Sequence, residues 1–273
     1  VASANCILFE KAIPVFVDID PLTLNIDPYK IEKAILNLKS KRSKLKAILP
    51  VHVFGQPCDM DRIMSIAKEY DSSVIEDACE AFGAGYSSQP KAHSQKLTVQ
   101  SKNDSRFRKV GTFGDCSVFA FYPNKQITTG EGGIIVTDNE DIALLCRSLR
   151  NQGRDSNGRW LAHARLGYNY RLSDINCALG LAQLERIDEI LKKRTQIADM
   201  YNRRLKDIEN IQIPYISRNV KMSWFVYVII LDDRFNREDR DRILMGLRNR
   251  GIGCNNYFTP IHLQPFYVEM FGY

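Results

Sequence analysis

An α/β domain with a mostly parallel sheet sandwiched by helices, followed by a smaller C-terminal α+β domain, is the fold this sequence predicts. Short apolar, β-branched runs at 13–17 (IPVFV), 47–53 (AILPVHV), 73–76 (SVIE), 116–121 (CSVFAF) and 133–137 (GIIVT) are separated by stretches of helical period. Among those stretches are 31–38 (IEKAILNL) and 60–70 (MDRIMSIAKEY). The apolar runs are continuous and do not alternate with polar residues, which marks strands covered on both faces. Their interleaving with amphipathic helices marks parallel connections. In such sheets ligands gather beyond the carboxyl ends of the strands.

The later elements follow by the same reasoning. From Leu172 to about Ile208 the pattern is helical, with Ser173 or Asp174 as cap and Ile175, Leu179, Ala182, Ile187 and Leu191 as the apolar stripe. After Pro214 come a strand at 224–231 (WFVYVIIL) and a helix at 237–250 (REDRDRILMGLRNR) closed by Gly251. The boundary is placed near 209–214, giving a large domain at 1–210 and a small one at 211–273. There are no internal repeats. The first and last residues are expected to be cuts through a longer protein.

Composition excludes several classes. The chain has 273 residues, 44% hydrophobic and 26% charged, enough to build a core without disulfide or metal staples. No apolar run approaches the ~20 residues needed to cross a bilayer, and no secretory leader is read. Most of the +6 net charge lies in one stretch, 87–109. There Lys91, Lys96, Lys102, Arg106, Arg108 and Lys109 face Asp104 alone. A solvated insertion is the reading, rather than a nucleic-acid interface. Seven cysteines make no C-x-x-C pair and no cluster with histidine, so no zinc site and no disulfide framework is expected. That usage points to the cytoplasm.

Two strand ends carry the chemistry. VIEDACEAFGA (74–84) is a buried strand ending in Glu76-Asp77, where a carboxylate is costly unless something cationic meets it. FAFYPNKQITTGEGG (119–133) is a second buried strand leading to Lys125 and a glycine-rich turn. A lysine amine beside aromatics is suited to attack carbonyls. Each feature alone reads as readily as a salt bridge, a solvated strand end or a tight turn. In order within one sheet, they supply what a pyridoxal phosphate site requires: a lysine Schiff base and an acid for the pyridinium nitrogen. His52 and His262 each read first as packed or hydrogen-bonded residues.

Seven blocks together resemble one family. IPVFVDIDPLTLNID (13–27), LPVHVFGQPCDM (49–60), VIEDACEAFGA (74–84), FYPNKQITTGEGG (121–133), LRNQGR (149–154), LGYNYRLSDINCALG (166–180) and PIHLQPFY (260–267) are similar to the nucleotide-sugar aminotransferases of the DegT/DnrJ/StrS type. The resemblance implies a fold-type I pyridoxal 5′-phosphate enzyme acting as a homodimer with shared active sites. It implies that Lys125 binds the cofactor's aldehyde and shuttles the proton, and that Asp77 meets the pyridine nitrogen. Glu80 falls where many members carry Gln near the cofactor's 3′-oxygen. Asn169 matches an asparagine that reaches the phosphate of the neighbouring subunit's cofactor. His262 falls near the sugar-binding region and is carried as a substrate-binding candidate. Many relatives have a phosphate-contacting Ser where this chain has Ala120. Their main phosphate cradle, a Gly-Ser/Thr turn opening a helix, belongs to a part of the family that precedes Val1. Residues 1–273 alone are therefore expected to hold the cofactor weakly.

The implied activity is transfer of an amino group, from L-glutamate, to a nucleotide-linked keto-deoxysugar. Relatives that dehydrate the sugar replace the lysine with histidine, which Lys125 disfavours. A non-catalytic member of the fold, sensing ligand or serving as a scaffold, is the alternative of another class.

Overall fold

The computed structural model describes residues 1–40, 44–88, 106–155 and 162–272. Its helices are α1 (Ala2–Phe9), α2 (Pro28–Ser40), α3 (Met60–Glu69), α4 (Glu140–Arg150), α5 (Asp174–Glu185), α6 (Ile187–Leu205), α7 (Arg237–Arg248) and α8 (Pro265–Phe271). Its strands are β1 (Ala47–Ile48), β2 (Ser73–Asp77), β3 (Gly85–Tyr86), β4 (Arg108–Lys109), β5 (Cys116–Ala120), β6 (Gly133–Val136), β7 (Ile211–Gln212), β8 (Val220–Lys221) and β9 (Ile230–Leu231). Lys91, Lys96 and Lys102 of the basic stretch lie outside the described residues.

The chain forms two compact units. One comprises Val17–Met200 with Tyr215–Tyr227, and the other Val1–Phe16, Tyr201–Pro214 and Val228–Tyr273. Where the sequence suggests a single boundary near 209–214, the chain passes between the units more than once.

The first unit holds a sheet of order β1-β2-β5-β6. β1 with β2, and β2 with β5, are parallel, while β6 returns antiparallel to β5 along the glycine-rich turn. The α/β expectation is met, with a mixed sheet whose edge strand runs the other way. Asp59 caps α3 by accepting the Arg62 N–H, and Met60, Ile63, Ile66 and Ala67 recur at helical spacing on its buried face. They pack with Ile31 and Ile35 of α2, Ile48 of β1 and Val74 of β2. Alternation along β2 puts Glu76 on the same face as Val74 and turns Asp77 to the other. A smaller antiparallel sheet has the order β4-β3-β8.

Three expected strands are shortened or lost. Residues 13–17 form none: Pro14 lacks an N–H to donate, Ile13 is 75% exposed, and the nearest pairing is the lone bridge Ile19–Ile26. The run 47–53 pairs at Ala47–Ile48, is interrupted at Pro50, and ends in a 3-10 turn at Val53–Gly55. Of 224–231 only Ile230–Leu231 joins a sheet. The main chain at 223–225 is engaged elsewhere: Ser223 N–H donates to the Gly55 carbonyl at 2.9 Å and Phe225 N–H to the Phe54 carbonyl at 3.3 Å. The long helical stretch after Leu172 breaks at Arg186 into α5 and α6, and Ser173 is the cap, its hydroxyl accepting the Asn176 N–H.

In the second unit, β7 pairs antiparallel with β9. α7 opens on a reciprocal capping box between Asn236 and Asp239. Beyond it, Gly251 takes a left-handed φ of 75°, as a helix-closing glycine does. Tyr267 is fully buried among Phe16, Phe266 and Phe271, and its hydroxyl donates to Asn5 at 2.8 Å.

Among the described glycines, Gly55 has the least room for a side chain. Its φ is +93°, and a Cβ there would lie 1.5 Å from the Ser223 carbonyl oxygen. Gly55→Ala is expected to destabilise the fold by about 2 kcal/mol or more, measured by thermal or denaturant unfolding.

Candidate active site

The site is built around a buried carboxylate that the sequence assigned to a cation. Glu76 and His52 are both fully buried, with His52 Nε2 and Glu76 Oε2 3.1 Å apart. The Cys58 N–H donates to His52 Nδ1 at 3.0 Å. A backbone N–H can only donate, so Nδ1 is the acceptor and Nε2 carries the proton given to Glu76. Gly111 N–H donates to the same carboxylate oxygen at 2.8 Å, and Phe113 and Gly114 N–H groups to the other at 2.6 and 2.7 Å. Burial by itself would raise the Glu76 carboxyl, but these hydrogen bonds outweigh it and hold the group below the usual carboxylate range. Amide donors and an imidazole therefore replace the cation expected at this strand end. The reading of His52 as a hydrogen-bonded core residue is met.

This clamp fixes Asp77, the next residue. Asp77 N–H donates to the Pro50 carbonyl at 2.9 Å, and the Asp77 carbonyl accepts from His52 N–H at 3.0 Å. The Asp77 side chain is buried, and its Oδ1 accepts the Cys79 N–H at 3.1 Å. In register it faces Val118 of β5, so Asp77 and the turn bearing Lys125 emerge at one end of adjacent parallel strands. Burial, with Asp77 beside it, pushes the Cys79 thiol up, while the Lys125 ammonium opposes that rise.

Lys125 is held by a tight turn, its N–H donating to the Tyr122 carbonyl at 3.0 Å. Its Nζ lies 3.4 Å from Glu80 Oε1, with the two side chains 15% and 16% exposed. The other Glu80 oxygen accepts the Phe54 N–H at 2.9 Å. Phe54 is held at φ 59°, a left-handed conformation that costs a bulky residue about 1 kcal/mol or more. The Phe225 ring centroid lies 4.2 Å from Nζ, at cation–π distance. Gln126 and Ser223 brace the turn. The Gln126 amide donates to the Glu80 carbonyl at 2.6 Å and to the Ser223 hydroxyl at 3.1 Å, and that hydroxyl donates to the Phe82 carbonyl at 2.6 Å.

The structure thus brings together Lys125, Glu80 and the end of β2 with Asp77. Asn169 lies on an exposed segment, its backbone bridging Asn151. His262 belongs to the second unit, in the turn Ile261–Leu263, with its ring centroid 6.0 Å from that of Phe16. Ala120 ends β5. Sequence reasoning missed Phe225, Gln126, Ser223 and Arg194. Phe225 was absorbed into an expected strand. Arg194 had a visible signal, a charge spaced from Leu191 and Ala198 so as to share the buried face of α6.

A family model described as the DegT/DnrJ/EryC1/StrS aminotransferase family matches residues 1–273. The chain belongs to that family. It is 38% identical over 281 residues to an uncharacterized protein of Methanocaldococcus jannaschii, covering all of this chain and 66% of that protein. It is 38% identical over 271 residues to a GDP-perosamine synthase of Caulobacter vibrioides, covering 99% of this chain and 66% of that one. Among solved structures it matches PseC of Helicobacter pylori, an aminotransferase involved in the biosynthesis of pseudoaminic acid. The TM-score is 0.83 at 29% identity, over 100% of this chain and 67% of that one. The chain therefore spans about two thirds of the length of these relatives.

Because the folded state holds Glu76 below its ordinary value of 4.5, its bonds stabilise the fold fully above that pH. The contribution is lost as pH falls through the lower, folded-state value. Glu76→Gln is expected to be destabilised by about 3 kcal/mol at neutral pH. Its unfolding free energy is expected to fall less steeply with acidification than that of the parent, as read from denaturant titrations at stepped pH.

Proposed function

We propose that the protein bearing this chain is a pyridoxal-phosphate-dependent transaminase. It would move an amino group from L-glutamate to a keto group on a nucleotide-linked deoxysugar, for the amino sugars of a polysaccharide, lipopolysaccharide or antibiotic. The observation that carries the reading is the Lys125 amine, seated between Glu80 and Phe225 at the sheet end where Asp77 is buried. The names of the relatives support it, a GDP-perosamine synthase and a pseudoaminic acid aminotransferase among them. We further propose that it works in the cytoplasm, as a homodimer with shared active sites.

The donor set fits the cofactor. An aldehyde is met by a primary amine, and a protonated ring nitrogen by a buried carboxylate. When bound, pyridoxal phosphate supplies an electron sink for the electrons of a breaking Cα–H bond. Lys125 would hold its aldehyde carbon through Nζ. The same Nζ, when not holding the aldehyde, would serve as the group that carries a proton during amino-group transfer. Asp77 would accept the ring N–H and stabilise its positive charge. Glu80, with one oxygen accepting the Phe54 N–H, pairs with the Lys125 ammonium, and would serve the cofactor's 3′-oxygen, where many relatives carry Gln. Ala120 has no hydroxyl to offer the phosphate, so that group falls to others, Asn169 of the neighbouring subunit among them. His262 is kept as a sugar-side contact.

Full-length protein incubated with L-glutamate and a nucleotide 4-keto-sugar is expected to release 2-oxoglutarate. Lys125→Ala is expected to abolish that release and the visible absorbance of the cofactor adduct. Failure to detect 2-oxoglutarate across several keto-sugars would overturn the assignment.

A further inference from the structure

We propose that Arg194 is a positioning residue for Lys125, acting through the main chain and the ring of Phe225. The inference rests on the reading of Lys125 as the cofactor-bearing amine. Leu191, Arg194 and Ala198 share one face of α6, spaced three and four residues apart. Ala198 is 2% exposed, and Leu191 lies so near the turn after β2 that a Cβ on Gly83 would sit 2.4 Å from its methyl. That face directs the guanidinium inward. Its Nη1 donates to the carbonyls of Trp224 at 3.1 Å and Phe225 at 3.0 Å, and its Nη2 to the carbonyl of Lys125 at 3.3 Å.

Among the described residues no carboxylate pairs with Arg194, and burial lowers its proton affinity from the ordinary arginine value. The charge is compensated by three carbonyl dipoles, two of them in the segment that the sequence predicts as a strand. A planar guanidinium with several donors can gather carbonyls from separate segments, which the point charge of a lysine does poorly. The consequence is geometric. With the main chain at 125 and at 224–225 fastened to one rigid group, the Phe225 ring is kept 4.2 Å from Nζ. The amine is thereby confined to the side where Glu80 lies. A reacting amine misplaced by about 1 Å loses much of its rate, so this seat bears on the chemistry without Arg194 touching any reacting atom.

The test uses full-length protein whose lysines are reductively methylated with isotopically labelled formaldehyde and observed by NMR. The Lys125 N-methyl resonance is expected upfield of those of exposed lysines, displaced by the Phe225 ring current. In Arg194→Met and Phe225→Leu it is expected to return to the exposed-lysine position, with Arg194→Lys intermediate, while circular dichroism and thermal melting show the fold retained. In parallel, borohydride trapping of added pyridoxal phosphate at Lys125 is expected to be about tenfold slower in Arg194→Met. A folded Arg194→Met protein that keeps both the shifted resonance and the parent trapping rate overturns the proposal. Should Arg194→Met fail to fold, Phe225→Leu decides, because it leaves the carbonyl bonds of Arg194 in place: an unmoved resonance there overturns the proposal. Absence of trapping at Lys125 in the parent, with a resonance that still depends on Arg194, would refute the cofactor reading and leave the positioning role standing.

Discussion

A carboxylate shut away from water must find its donors inside the protein, and Glu76 finds four: the His52 imidazole and the amides of Gly111, Phe113 and Gly114. Leaving any of them unmade would strand a buried charge, at a cost of several kcal/mol. The chain leading out of β1 and the loop 111–114 are therefore both fastened to β2. His52 passes the constraint on, because its second nitrogen accepts the Cys58 amide and so orders the segment 52–58. That segment contains Gly55, whose carbonyl meets Ser223, and Phe54, whose amide meets Glu80. The environment of Lys125 is thus reached from Glu76 through hydrogen bonds joined by the backbone of segment 52–58, with Asp77 held one residue away.

The neighbourhood of Lys125 has a charge logic of its own. The ammonium is met on one side by Glu80 and on another by an aromatic face. Both contacts keep the amine in one place. Glu80 is tethered at its other oxygen by the Phe54 amide, so the carboxylate that pairs with the lysine is itself held in place. The left-handed backbone at Phe54 is the local strain that this arrangement tolerates. It sits beside the paired Glu80 and Lys125.

Much was legible in local patterns. The buried strand ending in Glu76-Asp77, the strand leading to Lys125, the face of α3 and the Ser173 cap all follow from spacing and residue type within a dozen residues. The misjudged elements are those whose backbone partners lie far away in sequence. Residues 224–227 look like a strand because they are apolar and aromatic. Yet the carbonyls of Trp224 and Phe225 are taken by a guanidinium, and the Phe225 amide by a distant loop. Residues 13–17 have the same look, but Pro14 has no N–H to donate and Ile13 and Val15 are exposed, and the segment joins no sheet.

By itself the sequence determined which residue types stand at the two strand ends and in what order, because periodicity and strand burial are written into neighbouring side chains. Only the tertiary structure decided which of them meet. Glu80, 45 residues from Lys125, is the carboxylate that meets the amine, and Arg194, 69 residues away, is the group that binds the lysine's carbonyl. Contacts of that span depend on how helices and turns pack in three dimensions. No local pattern of hydrophobicity or charge encodes them.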